Sequence, residues 1–245
     1  NNPFIATAAD YLADDGTLVG TAASWGMNVL LEHWAMAIHP VTLFIGYAGL
    51  TVPFAYAVSA LVVNDPSRQW VKLSQGYAVF SWIFLGIGIG LGAVWAYAVL
   101  GWGGYWAWDP VENASLLPWL VGVALIHTLT MYRRQGSFKR WAIFCACLTF
   151  AFVVLGTFIT RSGLVESVHA FSGDSVSFWF FIILIISALL IGVFGLVWRR
   201  KSFVSDVEIS SFSGREAAYY FNNVIMVASA VLLAYLTLTS ALPPW

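Results

Sequence analysis

Six runs of almost unbroken apolar residues, at about 36–63, 76–100, 115–132, 141–160, 177–198 and 219–241, dominate this chain of 245 residues. Each is long enough to cross a hydrocarbon core of ~30 Å, for which a helix needs roughly 17–25 residues. The runs are continuous rather than alternating and about twice a barrel strand in length, so helices are the only spanning structure open to them. Charged residues make up 9% of the chain, against ~25% in a soluble domain, which removes water as the main solvent. The sequence therefore predicts an all-α integral membrane protein of about six transmembrane helices. Without an internal repeat or a low-complexity linker it reads as one domain, 1–245, with 1–34 outside the membrane and 101–114 a loop between helices 2 and 3.

The cations set the expected topology, because Lys and Arg collect in loops that are not translocated. Arg68 and Lys72 follow the first run, Arg133, Arg134, Lys139 and Arg140 the third, and Arg199, Arg200, Lys201 and Arg215 the fifth. The opposite side holds one cation, Arg161, against eight acids: Asp10, Asp14, Asp15, Glu32, Asp109, Glu112, Glu166 and Asp174. Both termini and the 101–114 loop are thus expected on the outer face. A net charge of -1 with no basic stripe excludes a nucleic-acid partner. The start NNPF carries no basic n-region or signal core, and an outward N-terminus before the first run reads as an internal start, that of a fragment or one part of a split protein. Cys145 and Cys147, two apart on a helix, point about 200° away from each other and read as small core residues.

The chemistry is left to the outer aromatics and the histidines. WGGYWAWDPVEN, residues 102–113, sets Trp102, Tyr105, Trp106 and Trp108 in a glycine-broken loop. Such a string is either an interfacial belt or a platform for a flat ligand, and the glycines, which permit close backbone approach, favour the platform. Asp109, Pro110 and Glu112 also spell a helix start, with Asp as N-cap, Pro at N1 and Glu at N3.

His39, placed before Pro40 at the expected outer mouth of helix 1, and His169, in the outer loop between helices 4 and 5, share the face of the aromatic loop. They read either as interfacial polar residues or as the two axial ligands of a haem iron. Arg161 is a partner for a haem propionate, for Glu166 or for lipid phosphate. His127 stands apart, roughly 16 Å below Leu116 along helix 3. An ionisable residue at that depth is a functional candidate: a ligand of a second, buried haem, a proton relay, or a neutral imidazole bonded to a neighbouring helix. No other histidine is placed to oppose it, and His33 reads as a surface residue.

WGGYWAWDPVENASLLPWL, with AIHPVTLFIGYAGLTVPFAYA before it and TRSGLVESVHAF after it, closely resembles the tryptophan-rich WWD signature and histidine-bearing flanks of the CcmF family, the cytochrome c haem lyases of the System I maturation pathway. NNPF and SGREAAYYFNN look alike too. The resemblance covers nearly the whole chain but only the central part of a typical CcmF. It implies that His39 and His169 ligate the haem awaiting attachment (haem b), that Trp102, Trp106, Trp108 and Asp109 belong to its platform, and that His127 holds a permanent second haem whose other ligand lies in a companion chain or C-terminal part carrying the rest of CcmF. Tyr105 stands where the family usually has a Trp, keeping the stacking face.

By the same resemblance, haem comes from the chaperone CcmE, and its vinyl groups are joined to the two thiols of a CxxCH motif in apocytochrome c presented by CcmH-type partners. Catalysis would then consist of holding haem and thiols in orientation, and no catalytic residue is singled out. The expected location is the bacterial inner membrane with the loop facing the periplasm, or the mitochondrial inner membrane facing the intermembrane space. Alternatives are a CcmC-like haem loader and, from other classes, a haem-bearing electron-transfer subunit or a transporter lined by His127. PVENASLLPWL argues against the loader, and the lack of repeats or broken helices against the transporter.

Overall fold

Pro53 interrupts the hydrogen-bond ladder of the first span without breaking its course. Its ring nitrogen offers no donor to the carbonyl four residues back, that of Gly49, and the helix divides there into α1, Trp34–Gly49, and α2, Thr51–Val63. Leu50 between them keeps helical angles (φ -69°, ψ -13°), so the two run on as a single span of 30 residues. The computed structural model describes residues 14–17, 31–165, 167, 173–207 and 211–240. The remaining elements are α3, Gln69–Val99; α4, Pro110–Gln135; α5, Lys139–Arg161; α6, Ser175–Trp198; and α7, Arg215–Thr239. Six spans are long and apolar enough to cross a membrane, and the described residues contain no strand. The protein is an all-helical membrane protein, as the apolar runs require.

The helix ends follow local rules. Asp109 caps α4 by accepting from Val111 N at 2.9 Å, Pro110 occupies N1, and the Glu112 carboxylate returns to Asp109 N at 3.3 Å, which completes a capping box. At the other end Gly136 takes φ 76°, the left-handed stop that glycine adopts without cost. Asp174 caps α6 through Ser177 N.

α4 and α5 form the centre. In the α5 span 83% of the most apolar stretch is buried, against 17% in α6. α1 and α2 lie on α3, α5 and α6, and α7 lies on α4. Backbones approach closely where α1 crosses α3: a Cβ on Gly46 would lie 2.6 Å from Leu85 N, and one on Gly88 2.7 Å from Leu43 Cα. Small residues permit this approach, which is how helices gain contact where lipid offers no hydrophobic driving force. Cys145 and Cys147 are buried free thiols, and Cys147 faces Gly192 of α6.

The basic loops meet at one end of the bundle. Arg68 donates to Arg134 O at 3.1 Å, Lys139 Nζ lies 2.5 Å from Asp206 Oδ1, and Arg140 donates to Arg200 O at 2.6 Å. Arg68 also reaches Asp206 Oδ2 at 3.5 Å. The aromatic loop belongs to the opposite end, after α3 and before α4.

Candidate functional site

His39 is not at the mouth of its helix. The sequence suggested Pro40 in the first turn, but α1 begins at Trp34, with His33 as N-cap accepting from Ala35 N at 3.3 Å. Pro40 lies inside the helix and merely leaves the Met36 carbonyl without its helical donor. His39 is thereby sunk about 8 Å below the start of α1, facing α3. There its Nδ1 lies 2.7 Å from the carbonyl oxygen of Gly88. A carbonyl only accepts, so Nδ1 carries the proton and Nε2 carries the ring lone pair. Gly92, one turn further along α3, is the floor under the ring: a Cβ there would lie 2.6 Å from Cε1, 3.0 Å from Nδ1 and 3.2 Å from Nε2.

The aromatic loop closes over this histidine. Tyr105 and Trp106 line one small cavity with His39, Gly92, Glu112 and Ser115. Its free volume, ≈ 60 Å³, suits one or two waters, and a larger flat molecule meets the outer surface of the loop first. That surface is aromatic: Trp102, Tyr105 and Trp108 are 47%, 55% and 65% exposed. Tyr105 stacks on Tyr97 of α3, ring centres 4.4 Å apart and 9° from parallel, while Trp106 and Trp108 meet edge to face at 6.2 Å. Trp106 Nε1 is buried without a hydrogen-bond partner, an orphaned donor of the kind that a ligand acceptor would satisfy.

PVEN shapes the loop as well as starting the helix. Glu112 Oε2 accepts from Ala107 N at 2.8 Å, and Asn113 Nδ2 donates to Trp108 O at 3.0 Å. These bonds hold Trp108 at φ 58°, a left-handed conformation that costs a bulky residue about 1–2 kcal/mol. Asp109 caps α4 and also accepts from Ser167 Oγ at 2.8 Å, which ties the loop after α5 to the aromatic loop. Arg161, exposed at the end of α5, contributes to holding the Asp174 carboxyl below the usual carboxylate range. The main cause of that lowering is the hydrogen bond from Ser177. His169 and Glu166 lie outside the described residues.

His127 does not join this cluster. It lies on α4, 18 positions or about 27 Å along the helix from Asp109. Its Nδ1 is 2.9 Å from Asn222 Nδ2 of α7, and Tyr219, one turn earlier on α7, places its ring 4.9 Å away at 57°.

Of the outer residues expected to act together, His39, Tyr105 and Trp106 share a cavity, Trp102 and Trp108 belong to the loop around them, Asp109 caps the helix that follows the loop, and Arg161 lies at the end of α5. Gly88, Gly92, Asn113, Ser167 and Asn222 went unnoticed in the sequence. The glycines left a signal there, four apart in GIGIGLG and so on one helical face, and Asn222 left one as a polar residue inside an apolar run.

Comparisons with known proteins show the family of the chain. The family model described as cytochrome C assembly protein matches residues 17–166. Cytochrome c-type biogenesis protein NrfE of Haemophilus influenzae is 48% identical over 207 residues, 84% of this chain and 32% of that protein. Cytochrome c-type biogenesis protein CcmF of Pseudomonas aeruginosa is 42% identical over 215 residues, 86% of this chain and 32% of that one. A solved structure, cytochrome c heme lyase CcmF, aligns with a TM-score of 0.71 at 35% identity, covering 86% of this chain and 32% of its own. The chain thus spans about a third of the length of the curated relatives it matches. Matched by the family model over its first four spans and the aromatic loop, and resembling these relatives throughout most of its length, the chain belongs to the cytochrome c assembly protein family.

Proposed function

We propose that the protein holds haem against its aromatic loop on the periplasmic face of a bacterial inner membrane, with His39 and His169 as axial ligands, for thioether attachment to the CxxCH thiols of apocytochrome c. The observation that carries this reading is the His39 ring: its proton is tied to the Gly88 carbonyl, so the nitrogen with the lone pair is Nε2, on a ring that shares its cavity with Trp106 and Tyr105. A metal-ligating histidine is commonly set in this way by a bond through its other nitrogen. The macrocycle would lie against the rings of the aromatic loop, which has to move off His39 for iron to reach Nε2, and Arg161 and the orphaned Trp106 Nε1 are donors for its carboxylates. The two vinyl groups are the reactive part of haem, and the part of this chain is to bind, orient and keep water from one face.

Haem b arriving from a CcmE-type chaperone, an apocytochrome presented by CcmH-type proteins, and a companion carrying the rest of CcmF are the partners this reading requires. His127, half buried between α4 and α7, would hold a second, resident haem. Turned so that its oxygen accepts from Nδ1–H, the Asn222 amide would leave Nε2 to hold that group, whose chemistry would be electron transfer.

The reading is tested by combining the detergent-purified protein and its companions with haem-charged chaperone and a CxxCH peptide. A covalent haem-peptide is expected, reduced at least tenfold by His39→Ala. Haem passing to empty chaperone with no covalent product would overturn it.

A further inference from the structure

We propose that Asn222 is a positioning residue that sets the donor strength of His127. This rests on the reading of His127 as an iron ligand. The ring is clamped by one face of α7: Asn222 lies 2.9 Å from Nδ1, and Tyr219, three residues earlier and so on the same face, lies against the ring at 4.9 Å. Asn222 and His127 are 95 residues apart, so this pair also ties the α4–α7 contact to the orientation of the imidazole.

An amide differs from the carbonyl that holds His39. A carbonyl accepts only and imposes one tautomer, whereas the Asn222 amide can present either NH2 or, turned over, its oxygen. With NH2 toward the ring, Nδ1 is the acceptor and Nε2 holds the proton, so the ring is not a ligand. With the oxygen toward the ring, Nδ1–H donates to it, and the Nε2 lone pair is available. Asn222 thus accommodates His127 both without and with iron, keeping one hydrogen bond in each state. As a neutral acceptor it makes the ring a donor of intermediate strength. A carboxylate there would pull harder on the Nδ1 proton and strengthen Nε2 as a ligand; an apolar side chain would weaken it.

The test uses the protein with its companions in mild detergent, reconstituted with haemin, and three variants: His127→Ala, Asn222→Leu and Asn222→Asp. Leucine has nearly the shape of asparagine and suits a membrane helix, so Asn222→Leu decides the matter even if the acid disturbs folding. The readouts are haem retained per protein, the midpoint potential of the haem that His127→Ala removes, and its electron paramagnetic resonance spectrum. Expected are about a tenfold loss of that haem in Asn222→Leu with a positive shift of its potential, and a negative shift in Asn222→Asp. If His127→Ala removes a haem whose potential and spectrum neither Asn222 variant moves, Asn222 is only a packing residue and the inference is overturned. If His127→Ala leaves every haem signal in place, the reading of His127 falls, and the inference with it.

Discussion

Replacing Gly92 by alanine separates the stability of the bundle from the geometry of the outer site. The added methyl would lie 2.6 Å from His39 Cε1 and 3.0 Å from Nδ1. Carbon contacts settle at about 3.5–4.0 Å, so the ring has to withdraw by about 1 Å. From 2.7 Å, that retreat carries the Nδ1 to Gly88 carbonyl distance past the ~3.2 Å reach of a good hydrogen bond. Losing it costs about 1 kcal/mol net, while removing a glycine from a helix returns about 0.5–1 kcal/mol. The fold is therefore nearly indifferent. The site is not, since the bond that orients a metal-ligating histidine is worth about 10–100-fold in affinity.

The assay is a haem titration in detergent, followed by absorbance in a His127→Ala background so that only the outer site reports, with a thermal melt of each variant alongside. Gly90→Ala is the control, because a Cβ at Gly90 meets nothing within 4 Å. Gly92→Ala should weaken haem binding by about tenfold or more at nearly unchanged melting temperature, and Gly90→Ala should leave binding alone. Equal haem affinity in Gly92→Ala and the parent would refute the assignment of His39 as an oriented ligand. Equal losses in both variants would show that the effect is a general response of α3.

Two further outcomes probe the ends of the bundle. Asp109→Ala removes both the cap of α4 and the acceptor of Ser167 Oγ, and should cost about 1 kcal/mol in thermal stability; Asp109→Asn, which still caps, should recover most of it, and equal losses in the two would refute the cap. At the basic end, the hydrogen bond from Lys139 holds the Asp206 carboxyl below the usual carboxylate range. A lowered carboxylate pKa contributes stability that is full above its unfolded value of ~4 and is lost as pH falls through the lower folded value. Hydrogen exchange of the loops around Gly136 and Asp206 should quicken as pH drops below ~4, after correction for the intrinsic rate. Asp206→Asn should be fast already and flat with pH.

What could be read in advance divides by the range of the interaction. Apolar length located all six spans, but it marks the hydrocarbon rather than the helix. α3 begins at Gln69 rather than near 76 because Gln69, Lys72 and Gln75 are helical residues too polar for the count. α4 begins at Pro110, five residues before its apolar run, and there the local cap pattern was the better guide. Interactions within a few residues were therefore legible where a motif spelled them, as DPVE does, and misread where two local rules competed. Pro40 looked like a first-turn residue, yet His33 supplied the cap and the proline was absorbed within α1.

The site itself depends on contacts that no local pattern encodes. Gly88 meets His39 across 49 residues, and Asn222 meets His127 across 95. Each pairing turns on which face of a helix is buried, and in this membrane chain nearly every face is apolar, so periodicity that would reveal a buried face in a water-soluble helix carries little signal. What remains legible is the exception to apolarity. His39, His127, Asn222 and Asn223 are polar groups inside the spans, and each needs a partner or a ligand because the bilayer offers neither. Asn223, wholly buried with both amide atoms unpartnered, is the neighbour of the residue that holds His127. In a chain of this kind the search for function is best begun by asking of every intramembrane polar side chain which atom satisfies it. For His39 that question ends at a carbonyl and for His127 at an amide, which is why the two imidazoles differ in what they can do.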